Sequence, residues 1–453
     1  MLRLAFASAL VSLALSVSIV TAEPPSKETD KRAVQLWNTY LSSHIANGDF
    51  YGIMLVTRDG KTLYDKSYAS SDLIKRGTSG WAVNTTQSTD VPSGTQFLIA
   101  SVTKTFTAAG IALLENDGKI NATDSLVAWL PDFKYAKDIK VWQLLAHQSG
   151  LDNPDYDSIA GRAVKPDELL DMIAARPLLF EPGKESRYSN AGYITLARII
   201  EKASGMTYGH FLQSRIFDPL KMVQSGNLES GEVVTKLAVG YLPGVGTELV
   251  KPAKRDPSGY FGSGSIYSSA ADLDRWLTAI DRHELFDITK QEYPFGWGKR
   301  KWFDRDVLVQ SGIEDGYCSV VLTVPAEALH IIVLMNAQTG FTNGEGKELL
   351  GVLYGEKLVM PARRPAVPRL DPEALELLAG TYLWGEPRIP MHLERNGRTL
   401  LLRWADSSSG VLLTPLSSTQ FYDRTSFSTI RFGNDELTWT QNGSDTRAPR
   451  ERP

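Results

Sequence analysis

The sequence predicts an α+β fold followed by a small antiparallel β-barrel or sandwich, and three observations carry that reading. Two near-continuous apolar runs, residues 318–324 and 329–336, have the length and β-branched content of central strands covered on both faces. Between them and an early strand pair at 52–57 and 62–68, most apolar residues recur at helical spacing. Past a proline cluster at Pro361, Pro365, Pro368 and Pro372, the apolar period falls to two.

A chain of 453 residues is long enough for two or three domains and a large core. Its formal net charge of −4 gives no basic footprint for nucleic acid. Arg3 precedes an apolar run over 4–20, and Val20-Thr21-Ala22 resembles a small-residue cleavage site. Residues 1–22 are therefore expected to be a signal peptide, and the mature chain to be periplasmic or extracellular. The run is slightly short for an uncleaved anchor, and no later stretch is long enough for a membrane span. Cys318 is the single cysteine, which excludes an internal disulfide framework and any cysteine-rich metal site. It lies in a strand-like run and reads as a buried apolar residue. None of the six histidines is paired at His-x-x-x-His spacing, so no metal or cofactor is expected.

In chain order, a helix is expected at 31–45, followed by the strand pair with Arg58-Asp59-Gly60-Lys61 as its tight turn, and a loop at 70–93. From Val102 the pattern is helical. Phe106, Ala109, Gly110, Leu113 and Leu114 form one apolar face, and Asp117-Gly118 stops it. A short helix at 121–131, a helix at 141–151 ended by glycine, and helices at 166–175 and 195–204 follow. Residues 226–257 read as an irregular excursion. A glycine-rich turn then leads to a helix with Ser269 as cap and Asp272 at the capping-box position. A strand at 307–312 precedes the two apolar runs, and a last helix spans 346–357. The main unit thus covers 31–360, the linker 361–372, and the second unit 373–442. Strands of the second unit are expected at 380–384, 391–395, 399–404, 410–414, 420–422, 429–432 and 436–440. The tail after Gly443 is expected to be disordered.

Ser101 and Lys104 stand three apart at the start of the strongest helical pattern, so they are neighbours on one face. A helix N-terminus favours developing negative charge and disfavours an ammonium. Burial would press the lysine the same way, toward the neutral form that can act as a base. Ser101 is thus a candidate nucleophile and Lys104 its helper. Tyr188-x-Asn190 falls in the loop before the next helix, after the forced turn at Pro182-Gly183. A phenol there becomes a useful base if nearby cations lower its pKa; otherwise Tyr188 and Asn190 tie down a loop. His147, near a helix end, fits helix stabilisation or packing better than catalysis.

Taken together, Ser101-x-x-Lys104, Tyr188-x-Asn190 and a later strand with Gln310-Ser311-Gly312 resemble the serine β-lactamase and penicillin-binding-protein superfamily, closest to its class C branch. Leu144-Leu145-Ala146-His147-Gln148-Ser149-Gly150-Leu151 and the stretch from Gly264 to Leu273 add noncatalytic landmarks. The resemblance implies an antiparallel sheet flanked by helices, with a helical subdomain and the active site between them. It implies that Ser101 forms an acyl-enzyme, that Lys104 and Tyr188 relay its proton, and that Asn190 orients substrate. Gln310, Ser311, Gly312 and Ile313 would line the substrate, with the N–H groups of Ser101 and Ile313 as oxyanion hole. The C-terminal unit resembles the lipocalin-like accessory domain of some such hydrolases.

Gln310 departs from the lysine or histidine that usually opens the third motif, and glutamine carries no charge for a substrate carboxylate. Lys299, Arg300 or Lys301 would then be the substitute cation. The resulting expectation is an exported serine hydrolase acting on a small-molecule or peptide ester or amide. Its alternatives are a DD-peptidase, D-aminopeptidase or β-lactamase on cell-wall-type substrates, and a catalytically weak member that binds peptidoglycan or a partner. A Ser-His-Asp hydrolase lacks its Gly-x-Ser-x-Gly elbow. The sequence sets no oligomeric state.

Overall fold

The chain from helix α1 (Lys27–Ala46) enters a hairpin of β1 (Gly52–Arg58) and β2 (Lys61–Ser70), and Asp59 and Gly60 both take positive φ in its two-residue turn. The computed structural model describes residues 27–70, 88–89, 91–92, 94–253, 255–290, 293–314, 316–404 and 410–451. The expected signal peptide and most of the 70–93 loop lie outside the described residues.

The hairpin forms one side of a seven-stranded antiparallel sheet completed by β3 (Ser88–Thr89), β4 (Gly298–Trp302), β5 (Arg305–Glu314), β6 (Tyr317–Val324) and β7 (Leu329–Met335), in the order β3-β2-β1-β7-β6-β5-β4. Every residue of β6 and β7 is buried, as their unbroken apolar runs require of strands covered on both faces. One face packs on α1 through Trp37, Tyr40 and Leu41, and on Leu349 and Leu350. The other packs on the helical layer of α2 (Thr103–Asn116), α3 (Val141–Leu145), α4 (Pro166–Ala175), α5 (Asn190–Ser204), α6 (Tyr208–Leu212) and α7 (Ala270–Asp281). Helix α8 (Asn343–Gly351) starts from a capping box in which Glu345 accepts the Thr342 N–H at 2.7 Å.

Several elements differ from expectation for identifiable reasons. Helix α2 is buried all round from Thr103 to Leu114, not along one face, because it lies between the sheet and the helical layer. Its inward hydroxyls are satisfied: Thr105 Oγ1 donates to Val102 O at 2.8 Å and Thr107 Oγ1 to Gly262 O at 2.7 Å. The 121–131 segment forms only a 3₁₀ turn, Leu126–Ala128. Helix α3 stops at Leu145 because His147 takes the left-handed conformation. Ser269 caps α7 by accepting the Asp272 N–H at 3.2 Å. The Asp272 carboxylate instead accepts from Gln224 N and Ser225 Oγ, so the capping box is half made.

The C-terminal segment opens with α9 (Pro372–Leu378), where Pro372 serves as the first helical residue. It continues as β8 (Gly380–Trp384), β9 (Ile389–Asn396), β10 (Thr399–Trp404) and β11 (Gly410–Leu412) in one sheet. The second sheet holds β12 (Thr414–Pro415), β13 (Gln420–Asp423), β14 (Ser428–Phe432), β15 (Glu436–Gln441) and β16 (Ser444–Pro449). Together they enclose a core of their own that includes Met391, Leu402, Phe421, Ile430 and Leu437. Among the described residues the expected closed barrel is absent. Two antiparallel sheets stand in its place, and the β8 side meets the β16 side through an isolated bridge between Tyr382 and Arg450. The tail expected to be disordered forms β16, turned at Asn442-Gly443 with both residues at positive φ. Its alternation was hidden because its mostly charged and polar residues face solvent.

The two units are pinned at Asp49, which is itself buried. Arg364, from the proline-rich connection, reaches Asp49 at 2.6 Å, and the fully buried Arg424 reaches it at 3.0 Å. Arg424 also donates to the backbone carbonyls of Glu248, Gly244 and Gly48. Breaking one partner of a buried pair costs about 3–5 kcal/mol. Arg424→Ala is therefore expected to lower the unfolding free energy by about that amount, read from urea midpoints. An unchanged midpoint would show that the Asp49 cluster does not hold the units together.

Candidate active site

Three segments converge on Ser101. It sits in a 3₁₀ turn, Ala100–Val102, that runs directly into α2. Ala100 before it takes φ 45°, a left-handed conformation that costs a non-glycine residue about 1–3 kcal/mol. Neighbouring chains hold that turn: Ile99 N donates to Ile266 O at 3.0 Å, Ser319 Oγ donates to Ile99 O at 2.8 Å, and Gln310 Nε2 donates to Ser101 O at 3.2 Å.

Lys104 is fully buried one turn along. Its Nζ donates to Ser101 Oγ at 3.1 Å, Asn190 Oδ1 at 2.8 Å and Ser263 O at 2.8 Å. Loss of solvent pushes the amine down to about 7, against the opposing field of the Glu314 carboxylate. The Tyr188 hydroxyl donates to Ser101 Oγ at 2.6 Å, and its ring centroid lies 4.9 Å from Lys104 Nζ. Tyr188 as a whole is 52% exposed, and its hydroxyl is engaged at the serine. Burial pushes that phenol up to about 12; the bond to Ser101 opposes the shift and Glu314 adds to it. The expected lowering of the Tyr188 pKa is thus reversed. At neutral pH Tyr188 is a neutral donor, and Lys104 is the group able to take a proton.

Ser189 caps α5 through its side chain, which fixes Tyr188 just before the helix and Asn190 in its first turn. His147 accepts the Ser189 N–H at 3.1 Å and its ring lies 4.7 Å from that of Tyr188. Burial and Lys104 lower its pKa to about 4, so it is a neutral packing partner of the Tyr188 loop.

On β5, alternation sets what each third-motif residue does. Val307 and Val309 face one core, while Leu308 packs against the other, so Gln310, Gly312 and Glu314 follow Leu308 on the Ser101 side. Gln310, expected to contact substrate, is engaged with the Ser101 carbonyl. Ser311 lies on the strand between Gln310 and Gly312. A Cβ at Gly312 would lie 2.3 Å from Ile99 O and 2.8 Å from Ser101 N, so only glycine lets the strand approach the Ser101 turn. Ile313 is 42% exposed and lines the cleft.

That cleft has a volume of about 580 Å³ and is lined by Ser101, Asn190, Ser263, Ile313 and Glu314, with Arg255 and Asp157 from other segments. Trp404, Val411 and Thr425 of the C-terminal unit also line it. Lys299 and Arg300, proposed as substitute cations, line a separate cavity of about 1030 Å³ with Arg58 and Arg305. Lys301 lies 3.4 Å from Asp306 at an exposed edge. The arginine in the Ser101 cleft is Arg255, from the irregular excursion, 3.6 Å from Asp157. Sequence reasoning missed Glu314, Arg255 and Tyr156, a half-buried tyrosine stacked on Tyr260 at 5.4 Å. Of these, only Glu314 had a usable signal: its two-residue spacing from Gly312.

The arrangement supplies a serine hydroxyl, a buried amine poised to accept its proton, and a neutral phenol on the same oxygen. Labelling of Ser101 by an uncharged fluorophosphonate is expected to rise with pH through about 7, as Lys104 loses its proton, and to level above that. A flat rate from about pH 5.5 to 9 would exclude Lys104 as the base. Gly312→Ala is expected to slow the labelling about a hundredfold by displacing the serine turn, the scale of an ångström-sized misplacement. Labelling at the original rate would show that the strand can yield.

The Beta-lactamase family model matches residues 37–354, a span that holds every site residue named above except those of the C-terminal unit. Penicillin-binding protein 4* of Bacillus subtilis (strain 168) is 28% identical over 418 residues, covering 83% of this chain and 88% of that protein. Teichoic acid D-alanine hydrolase of Staphylococcus aureus is 27% identical over 331 residues, covering 69% of this chain and 73% of that protein. Among solved structures, D-amino acid amidase from Ochrobactrum anthropi SV3 shares the fold with a TM-score of 0.61 at 22% identity, over 72% of this chain and 99% of that one. With a family match over most of its length and a serine, lysine and tyrosine joined at one oxygen, the chain belongs to the β-lactamase family and is a serine hydrolase.

Proposed function

We propose that the protein hydrolyses an ester or amide bond of a cell-wall-type or D-aminoacyl substrate through an acyl-enzyme on Ser101. The observation that carries this is the pair of contacts on Ser101 Oγ, 3.1 Å from a fully buried Lys104 and 2.6 Å from Tyr188. Neutral Lys104 takes the Ser101 proton as the oxygen attacks the carbonyl carbon. The oxyanion forms against the backbone N–H groups of Ser101 and Ile313, which Gly312 brings together. Tyr188 passes a proton to the departing amine or alkoxide and is resupplied from Lys104. Asn190 holds the Lys104 amine and orients substrate. Water then attacks the acyl-enzyme and frees the acid, restoring the serine proton.

The substrate class draws on the relatives, one a penicillin-binding protein and one a teichoic acid D-alanine hydrolase. It also draws on the chemistry of the cleft. With Gln310 turned to the Ser101 carbonyl, no charged third-motif residue receives a substrate carboxylate. This favours esters and amides without that carboxylate over β-lactams. The N-terminal apolar run supports export, and no helix among the described residues is long and apolar enough to cross a membrane. The C-terminal unit, through Trp404, Val411 and Thr425, serves as an accessory wall that limits what enters the cleft.

Intact-protein mass after a fluorophosphonate, and separately a penicillin, tests the reading. The fluorophosphonate is expected to add once, at Ser101, and Ser101→Ala to abolish both the adduct and ester turnover while leaving the fold intact. Penicillin is expected to react slowly, by about tenfold to hundredfold relative to a site with a charge-assisted carboxylate contact. No adduct with either reagent would favour a binding role over an enzyme, and rapid penicillin turnover would refute the carboxylate argument.

A further inference from the structure

Besides Ser101, two groups hold the Lys104 amine: the side chain of Asn190 and the carbonyl of Ser263. One loop, residues 151–156, braces both of them, and the chemistry above gives it no part. Asn153 Oδ1 accepts the backbone N–H of Asn190 at 2.8 Å and that of Ala191 at 3.0 Å. These are the first two residues of α5, whose N–H groups have no acceptor within the helix. Ser189 Oγ accepts the next N–H, from Gly192, and itself donates to Leu151 O at 3.0 Å. Two N–H donors on one atom require that atom to be the amide oxygen, so the Asn153 side chain has one orientation.

The same loop supports the second holder of Lys104. The Tyr156 ring stacks on Tyr260 at 5.4 Å, and Tyr260 O accepts the N–H groups of Ser263 at 2.9 Å and Gly264 at 2.8 Å. The loop is anchored in turn: Leu151 and Pro154 are buried, and Asp152 pairs with Arg176, just past α4, at 2.5 Å.

We propose that Asn153 is a positioning residue for Lys104: capping α5 from outside the helix, it holds Asn190 Oδ1 against the amine while the proton leaves Ser101. The inference rests on the acyl-enzyme reading above and adds to it a residue outside the Ser101, Tyr188 and Gln310 motifs. A hydrogen bond to an acceptor favours the ammonium over the neutral amine. If Asn190 drifts, Lys104 therefore changes both its place beside the serine and its hold on a proton. A residue that only stabilised α5 would change neither.

The test follows labelling of Ser101 by an uncharged fluorophosphonate in the full chain, from about pH 5.5 to 9. Asn153→Ala leaves two N–H groups without their acceptor. Its plateau rate is expected to fall about tenfold to hundredfold, the scale of a small misplacement. The midpoint of its pH profile is expected to fall by at least about half a pH unit, because the ammonium has lost a partner. Asn153→Asp keeps an acceptor on both N–H groups, and its charge suits a helix N-terminus. It is expected to restore most of the plateau rate and to raise the midpoint, since a nearby carboxylate favours the ammonium. Thermal melting gives the folded fraction of each variant. If Asn153→Ala does not fold, Asn153→Ser, with a shorter acceptor, takes its place and is read by the same two quantities.

An unchanged plateau and midpoint in Asn153→Ala overturn the proposal. So does a slowed plateau with an unmoved midpoint, which would assign Asn153 to the stability of α5 alone. A loss in Asn153→Asp as deep as that in Asn153→Ala also counts against it. If Ser101 of the unmodified protein takes no label, the acyl-enzyme reading itself fails and the proposal with it.

Discussion

The burial of one amine organises this protein. A lysine without solvent is held only if polar groups replace the water, and three do so for Lys104, from three segments. The serine comes from the turn before α2, Asn190 from the start of α5, and the Ser263 carbonyl from the loop leading to α7. Each of those helices is fixed by its own buried face on the common core. The same desolvation brings the amine to about 7. Packing of the helical layer and the lowered pKa of the Lys104 amine are therefore one physical fact.

The sheet contributes from the other side. Strand β5 approaches the Ser101 turn so closely that Gly312 has no room for a side chain, and Gln310 anchors the serine carbonyl. The left-handed Ala100 is tolerated because the sheet and the helical layer both hold its neighbours. This is backbone strain stored next to Ser101 and offset by the packing around it.

The C-terminal unit has a core of its own but does not stand apart. Arg424 reaches across to Asp49 and to the carbonyls of the excursion between α6 and α7, while Phe427 packs on Phe341 and His44 of the main unit. Side chains of this unit also line the cleft.

The sequence by itself determined what local spacing encodes. The period of apolar residues marked the strands of both units and most helices. A three-residue step set Ser101 beside Lys104, and the loop before a helical run marked Tyr188 and Asn190. The tertiary structure decided everything that depends on which segments meet. It raised the Tyr188 pKa where the sequence suggested lowering, because burial of the phenol outweighs its bond to Ser101. It turned Gln310 toward backbone, brought Arg255 into the cleft in place of Lys299 and Arg300, and seated Glu314 in the same cavity as Ser101. It also left two sheets where a closed barrel was expected, and ordered a polar last strand by pairing it with β15. Periodicity reports how one segment meets solvent and core; charge, pairing and desolvation between distant segments arise only when the chain has folded.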